Sequence, residues 1–157
     1  SEDRLIPDIF RFYNRKKNIY LRNPFSVRPW QHVLEPLSGY LSLAERVYNR
    51  NFKKLTPNWN FGPNLSSCKS VKYIANYFSK PLNLKVISKK NNNNTFKPET
   101  SILRLSNFKA KKYLGWKPRW TLNESLDKII EWNRLIKKEK TLNVCEEQII
   151  SFENKNN

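Results

Sequence analysis

Apolar residues recur at helical spacing in six stretches of the chain, and polar residues mark where several of them begin. Ser70 precedes one such stretch and is in position to cap its helix. Thr121-Leu122-Asn123-Glu124 is a capping box, with threonine at the cap and glutamate three residues later, and it predicts the start of the longest helix. The other helices are predicted to begin near Pro7, Pro36, Ser106 and Asn143.

Short extended segments are predicted between these helices. Ile19-Tyr20-Leu21-Arg22 places two apolar side chains on one side and ends at Asn23-Pro24. The stretch from Ser26 to Val33 is extended in character, because Pro29 biases Arg28 away from helical geometry. Further strands are predicted at residues 59–63, 84–87 and 102–105. Strands so few and so short predict a mixed α/β fold without a complete doubly wound sheet.

Length and composition predict one folded portion of a longer polypeptide. The 157 residues suffice for one core, and 38% hydrophobic with 13% aromatic residues favours folding over disorder. The chain opens with Ser1 and contains no Met, which is typical of a piece of a longer chain. Within residues 1–157, the segment 88–100 predicts a flexible loop, and residues 143–157 predict a C-terminal helix with a polar tail.

Membrane and metal roles find no support in the sequence. No apolar run approaches the roughly 18 to 20 residues of a membrane helix, and no signal peptide precedes the first helix, so a cytoplasmic location is expected. Cys68 and Cys145 lie far apart without a CxxC pair, and His32 is the single histidine. A structural zinc site normally uses four nitrogen or sulfur ligands, so we expect two free thiols and no metal.

The net charge of +17, from 30 Lys and Arg against 13 Asp and Glu, leaves a nucleic-acid-binding role open. The basic residues form scattered groups such as Lys53-Lys54 and Lys111-Lys112, and no RNA- or DNA-binding motif accompanies them. A solvated basic surface is therefore the favoured interpretation, with weak, salt-sensitive binding to polyanions expected from charge alone.

The glycines argue against a phosphate cradle. Gly39, Gly62 and Gly115 are the only three in the chain, so neither a GxGxxG loop nor a P-loop can form. We therefore predict no self-contained dinucleotide or ATP site.

Arg28 is the strongest ligand-binding candidate that the residues alone provide. It lies between an apolar residue and Pro29-Trp30 in a segment predicted to be extended. A planar guanidinium held beside an aromatic ring can donate two parallel hydrogen bonds to phosphate oxygens. An arginine that lies over Trp30 as surface decoration is the alternative, so anion binding is a hypothesis at this point.

Six stretches of the sequence together resemble one enzyme family. They are residues 3–8, 19–24, 28–40, 59–64, 114–120 and 147–153. The stretch RPWQHVLEPLSGY at 28–40 is highly specific, whereas LGWKP at 114–118 alone indicates only the extended short-chain dehydrogenase superfamily. The chain thus resembles the CDP-glucose 4,6-dehydratase family over essentially its whole length, least across the asparagine-rich loop.

The resemblance implies that this chain is the C-terminal, sugar-nucleotide-binding part of such an enzyme, without the N-terminal Rossmann sheet. Family members bind NAD on the Rossmann domain, oxidise the sugar at C4, eliminate water across C5 and C6, and return the hydride to C6. The product is CDP-4-keto-6-deoxyglucose, which enters deoxysugar synthesis for surface polysaccharide. The implied partners are CDP-glucose, the Rossmann portion and a second copy in a homodimer, with no NAD bound by this chain alone.

The resemblance also assigns individual residues to substrate binding. The six implied residues are Arg4, Leu5, Ile19, Leu21, Arg28 and Glu99. Arg4 and Leu5 are implied to border the nucleotide, and Ile19 and Leu21 to line the base. Arg28 is implied to bind the pyrophosphate, and Glu99 to lie near the ribose. Pro98, Ser101 and Ile102 depart from the family's residue types, so the family's contacts are not carried over to that loop.

The same resemblance implies that the catalytic residues lie outside this chain. Tyr13–Lys17 and Tyr113–Lys117 fit the catalytic Tyr-x-x-x-Lys pattern, but the first occupies a helix that the family uses for packing and the second spans a helix stop at Gly115. The chain alone is therefore expected to be inactive. The helix from Leu37 to Tyr48 and the strand from Trp59 to Gly62 would pack on the missing domain, so we expect their apolar faces to be exposed and the isolated chain to associate.

Three functions are left open. The chain is a segment of a dehydratase, or a nucleotide-sugar-binding fragment of a broken gene, or a basic nucleic-acid binder. The first two share every residue named above. The third predicts a steep salt dependence and no preference for a CDP-sugar.

Overall fold

Six α-helices and four three-residue strands occur in the residues that this computed structural model describes, which are 4–49, 58–88 and 100–155. In chain order they are α1 (Leu5–Asn14), β1 (Ile19–Leu21), β2 (Val27–Pro29), α2 (Leu34–Tyr48), β3 (Cys68–Ser70), α3 (Val71–Leu82), β4 (Val86–Ser88), α4 (Phe108–Leu114), α5 (Leu122–Leu135) and α6 (Thr141–Glu153). The predicted mixed α/β class is confirmed.

Contacts divide the chain into two compact units, each made of two separate segments. The first unit comprises Ser1–Arg28 with Cys68–Leu103, and the second comprises Pro29–Ser67 with Arg104–Asn157. The assignment of residues 1–157 to one sugar-nucleotide-binding portion concerns function, and it stays a prediction.

The first unit packs two helices on a pair of strands. β1 and β4 pair in parallel with Ile19 opposite Val86, and both α1 and α3 contact β1. Because side chains alternate along a strand, Ile19 and Leu21 lie on the same side of β1, where they are only 1% and 3% exposed. Ile9 of α1 and Phe78 of α3 are fully buried, so the described core of this unit is apolar.

Backbone hydrogen bonds hold the start of α3 against the segment before β2. The hydroxyl of Ser70 accepts from the N–H three residues later at 3.2 Å, which confirms the predicted cap. The N–H groups of Val71 and Lys72 donate to the carbonyls of Ser26 and Pro24. A helix cannot satisfy these first N–H groups within itself, so the contacts favour a helix start at this place.

The second unit contains an aromatic cluster that requires a glycine. Phe61, Ala110, Leu114 and Trp116 are buried together, and the rings of Phe61 and Trp116 meet edge to face at 5.2 Å. A Cβ at Gly39 would lie 2.2 Å from Cδ1 of Phe61. Only glycine therefore allows α2 to approach this ring so closely.

A buried carboxylate joins α2 to the segment before α5. Glu35 is 1% exposed, and it accepts from the N–H of Arg119 at 3.0 Å and from that of Trp120 at 2.8 Å. The ring of Trp120 meets His32 and Phe152 edge to face at 4.9 and 5.0 Å. Polar and aromatic contacts thus fix the path of the chain into α5.

All six predicted helices are present, with shifted boundaries. The capping box at Thr121 forms in both directions, and α4 ends at Gly115, whose φ of +67° is left-handed. α2 begins at Leu34, two residues before Pro36. Pro36 is tolerated in the first turn because the N–H groups there have no intrahelical acceptor, so a proline removes no hydrogen bond. α6 begins at Thr141 instead of Asn143.

Two predicted strands are wrong. The described residues 59–63 form no strand, and the carbonyl of Gly62 accepts from Asn107 Nδ2 at 2.9 Å. At residues 102–105 a single parallel bridge joins Ile102 to Val27. β4 starts two residues later than the predicted 84–87 segment, and β3 was not predicted. Of the predicted loop 88–100, residues 89–99 lie outside the described residues.

One face of α2 is apolar and exposed, as we expected. Its large side chains are between 44% and 87% exposed, and they are Leu37, Tyr40, Leu41, Val47 and Tyr48. The same expectation is wrong for Trp59 to Gly62, because Phe61 is only 6% exposed and lies in the aromatic cluster. In the described ranges no helix is both long and apolar enough to cross a bilayer.

Candidate functional site

The candidate site is centred on Arg28 in β2. The N–H of Val27 donates to Ser101 at 2.8 Å and the N–H of Leu103 donates back to Val27 at 3.0 Å, so this strand is joined to the segment after residue 100. The side chain of Arg28 is half-buried, and its Nη1 donates to the carbonyls of Val27 and Thr100, both at 2.9 Å. Two carbonyl acceptors on one nitrogen orient the guanidinium plane before a ligand arrives.

The structure brings Arg28 next to the residue that follows Glu99 in the chain. Glu99 itself lies outside the described residues, so its role near the ribose stays a prediction. Thr100 accepts the hydrogen bond from Arg28, which links β2 to this end of the asparagine-rich segment.

Ile19 and Leu21 face the core of the first unit. At 1% and 3% exposure, their side chains offer no surface to a bound base in this structure. Tyr20, between them, is 46% exposed, and its ring meets that of Phe12 edge to face at 6.1 Å. Sequence reasoning did not select Tyr20, although strand alternation predicts that it points away from the two buried neighbours. That β1 lines the base stays a prediction. The contact would have to come from the backbone of β1 or from Tyr20.

Arg4 and Leu5 lie at the N-terminus of α1. Arg4 is exposed, immediately precedes the first helical turn and makes no capping hydrogen bond with its side chain. Leu5 is half-buried at the first helical position, and Asp8 in the same turn forms an ion pair with Arg11. Because α1 contacts β1, both predicted residues lie at the start of an element that packs beside the strand. Their contact with a nucleotide stays a prediction.

None of the three glycines forms a dinucleotide cradle. Gly39 lies inside α2, a Cβ at Gly62 would lie 2.6 Å from Cβ of Leu105, and Gly115 is the left-handed C-cap of α4. A Rossmann site needs glycines in the turn between a strand and a helix, where the backbone approaches the pyrophosphate. None of the three glycines lies in such a turn.

Neither Tyr-x-x-x-Lys pattern lies on one continuous helix. α1 ends one residue after Tyr13, before Lys17 is reached, and α4 ends one residue after Tyr113, before Lys117. Residues at i and i+4 meet only where the helix continues between them. Among the described residues, no group of three or more His, Cys, Asp or Glu could hold a metal ion.

Two buried titratable groups among residues 4–49, 58–88 and 100–155 have shifted pKa values, and both lie in the second unit. Burial, assisted by the charge of Lys128, lowers the pKa of His32 to about 4. Burial raises the pKa of Glu35, against the opposing effect of the Trp120 and Arg119 N–H groups. Shifted values occur in structural networks as well as in active sites, and the Glu35 contacts are to the backbone. We therefore assign Glu35 to structure.

Comparison with known proteins agrees with the resemblance found in the sequence. The chain is 39% identical over 158 residues to CDP-glucose 4,6-dehydratase of Salmonella typhimurium, a match that covers 96% of the chain and 42% of that protein. The predicted resemblance is thereby confirmed. No protein-family model matches the chain.

Solved structures share the fold at lower identity. A UDP-glucose 4-epimerase matches with a TM-score of 0.63 at 19% identity, over 80% of this chain and 40% of its own. RMD from Pseudomonas aeruginosa, complexed with NADPH, matches with a TM-score of 0.60 at 17% identity, over 81% of this chain and 40% of its own. The UDP-N-acetylglucosamine 4-epimerase from Bacillus cereus matches with a TM-score of 0.60 at 17% identity, over 82% of this chain and 42% of its own. The chain spans about two fifths of the length of these proteins.

Proposed function

We propose that this chain, a relative of CDP-glucose 4,6-dehydratase over nearly its whole length, forms the sugar-nucleotide-binding part of such an enzyme. The enzyme converts CDP-glucose to CDP-4-keto-6-deoxyglucose, and this C-terminal portion holds the nucleotide-sugar. A cytoplasmic location and a homodimer belong to the same proposal.

The position of Arg28 supports this proposal most directly. Its guanidinium is oriented by two backbone carbonyls at 2.9 Å, between β2 and the residue that follows Glu99. A guanidinium presents its donors in a rigid fork that matches two phosphate oxygens. The resemblance assigns the pyrophosphate to the same side chain. The proposal also assigns Glu99 to the ribose, and Arg4 and Leu5 to the border of the nucleotide.

NAD and the catalytic residues belong to the part of the relative that this chain does not match. The three glycines serve packing and a helix cap, and neither tyrosine–lysine pattern lies on a continuous helix. We expect no turnover when the purified chain is mixed with NAD and CDP-glucose. Formation of CDP-4-keto-6-deoxyglucose in that mixture, followed by chromatography, would contradict this division of roles.

Titration calorimetry of CDP-glucose into the full chain tests the role of Arg28. A charge-assisted hydrogen bond contributes roughly 1.5 to 3 kcal/mol, so Arg28→Ala should weaken binding by about 10- to 100-fold. Arg28→Lys should recover only part of this, because an ammonium cannot donate two parallel bonds. Lys17, exposed just after α1, is the control, and Lys17→Ala should change affinity little and mainly at low salt.

Two results would contradict the proposal. Equal losses for Arg28→Ala and Lys17→Ala would indicate general charge attraction. Steeply salt-dependent binding to a random oligonucleotide, with no preference for CDP-glucose, would favour the nucleic-acid-binding alternative.

A further inference from the structure

A cavity of about 330 Å³ in the second unit has no role in the proposed function. Its walls come from the residues at the start of α2, from α5 and from α6, and they include His32, Ile129, Trp132, Cys145, Gln148 and Ile149. The volume is at the lower end of the roughly 300 to 1,000 Å³ typical of small-molecule pockets. Every lining residue belongs to the unit that does not contain Arg28.

Two side chains in this wall are more than nine-tenths buried and each has one polar atom without a hydrogen-bond partner among the described residues. Nδ1 of His32 accepts from the N–H of Leu34 at 3.3 Å, so the proton of the neutral ring is on Nε2, which is a donor. Gln148 donates through Nε2 to the carbonyl of Lys128 at 2.7 Å, which sets its amide orientation and leaves Oε1 as an acceptor. The wall thus provides one donor and one acceptor.

The rest of the wall favours an uncharged, apolar ligand. The indole Nε1 of Trp132 donates to Sγ of Cys145 at 3.4 Å, and Ile129 and Ile149 add only carbon. An isolated charge is strongly disfavoured in such surroundings. Of common uncharged groups, a hydroxyl is the smallest that both accepts and donates a hydrogen bond.

We propose that this cavity binds a small uncharged phenol or aromatic alcohol. Its hydroxyl accepts from Nε2 of His32 and donates to Oε1 of Gln148, and its ring lies against Trp132 and Ile149. The site is independent of the nucleotide-sugar site, so excess CDP-glucose leaves its affinity unchanged. A negative result for phenol binding in this cavity therefore does not contradict CDP-glucose binding at Arg28, and the reverse also holds.

Nuclear magnetic resonance on the ¹⁵N-labelled full chain tests the proposal, because the chain has a single histidine and thus a single imidazole signal set. The probes are 4-ethylphenol and ethylbenzene, which differ only in the hydroxyl. We expect 4-ethylphenol to shift the His32 Nε2 and Gln148 side-chain signals in a saturable way. It should bind about tenfold more tightly than ethylbenzene, because the hydroxyl adds hydrogen bonds that the hydrocarbon lacks. Equal affinities, or no saturable shift of His32, would overturn the proposal.

A cavity-filling variant adds a second measurement. Ile149 is 42% exposed and lines the cavity, whereas Leu142 is 67% exposed on the same helix and does not. We expect Ile149→Trp to abolish 4-ethylphenol binding and Leu142→Trp to leave it intact. In the unsubstituted chain, 4-ethylphenol should slow thiol labelling of Cys145 but not of Cys68 in the other unit. Equal protection of both thiols, or of neither, would overturn the proposal.

Discussion

The two units bury different kinds of side chain. Among the described residues of the first unit, the buried side chains are all apolar, and they are Ile9, Ile19, Leu21, Ile74, Ala75 and Phe78. The described part of the second unit buries an apolar set as well, but also five polar residues, which are His32, Glu35, Ser67, Ser125 and Gln148. The first core is held by apolar contact, whereas the second also depends on hydrogen bonds between residues far apart in sequence.

This difference matters because the two kinds of contact fail differently. Shortening a buried apolar side chain lowers the free energy of unfolding by the transfer free energy of the removed atoms and by the cost of the cavity left behind. A deleted buried acceptor leaves its donors without a partner and without water, which adds the desolvation cost of each donor. Substitutions that remove a buried polar side chain from the second unit should therefore destabilise the chain more than substitutions that shorten an apolar side chain in the first unit.

Glu35→Ala should have the largest effect on stability. The carboxylate accepts from two backbone N–H groups, those of Arg119 and Trp120, and the substitution leaves both unsatisfied in a buried place. We expect the free energy of unfolding to fall by about 3 to 5 kcal/mol, measured by urea unfolding. Glu35→Gln keeps one carbonyl acceptor and should lose about 1 to 2 kcal/mol.

The matched change in the first unit is Ile9→Val. Ile9 is fully buried among apolar residues, and loss of one methylene should cost about 0.5 to 1.5 kcal/mol. If Glu35→Ala cost no more than Ile9→Val, the buried polar contacts would not distinguish the two units.

Acid should weaken the chain through His32. In the unfolded chain this ring takes up a proton near pH 6.5, but burial holds its folded pKa at about 4. Between these values the unfolded state binds more protons, so the stability present above pH 6.5 decreases as pH falls and is lost by about pH 4. The shift corresponds to about 3 kcal/mol, which urea unfolding at a series of pH values would detect.

The control for this titration is His32→Asn, whose amide oxygen can accept from the N–H of Leu34 but does not titrate. Glu35 acts in the opposite direction, because a raised pKa in the folded state makes the folded chain bind its proton first. Both proteins keep Glu35, so their difference isolates the histidine. An unchanged pH dependence in His32→Asn would show that another group is responsible.

The contrast between the units also explains what could be predicted from the sequence. Helices follow from local signals, such as the apolar spacing after Ser70 and the capping box at Thr121, and these elements are present. The stretch 59–63 was predicted as a strand from its apolar residues. Its actual path depends on Asn107, which donates to the carbonyl of Gly62 from more than forty positions away. A pattern along the chain contains no information on such a partner.

The candidate site divides in the same way. The local context of Arg28, beside a proline and an aromatic residue, was sufficient to make it a candidate for anion binding. Its hydrogen bond to Thr100 joins distant segments and could not be predicted. The burial of Ile19 and Leu21 follows from strand alternation, which also identifies Tyr20 as the exposed residue. The polar atoms of His32 and Gln148 became a candidate site only when the fold placed both in one cavity wall.

The exposed face of α2 predicts self-association through the second unit. Leu41 is 72% exposed in the middle of this apolar face, and burial of a leucine contributes about 1.5 to 3 kcal/mol. Leu41→Glu should therefore weaken self-association by about tenfold or more in sedimentation equilibrium. Phe25→Glu in the first unit, where the phenylalanine is 77% exposed, should have little effect. A wild-type chain that stays monomeric at all concentrations would contradict the prediction.

Helix capping should give the smallest difference between the units. In the first unit, Ser70 caps α3 through one hydrogen bond at 3.2 Å. In the second, Thr121 accepts from the N–H of Glu124 at 3.3 Å and the Glu124 carboxylate accepts from the N–H of Thr121 at 2.7 Å. Thr121→Ala should cost about 1 to 1.5 kcal/mol, because the threonine hydroxyl both accepts from the N–H of Glu124 and donates to the Glu124 carboxylate at 2.8 Å. Ser70→Ala, which removes one capping hydrogen bond, should cost about 0.5 to 1 kcal/mol. Thr121→Ser retains the acceptor and should be nearly neutral. Both losses in the free energy of unfolding would be measured by urea unfolding. A larger loss for Ser70→Ala than for Thr121→Ala would mean that the surrounding packing, and not the number of capping hydrogen bonds, sets the cost.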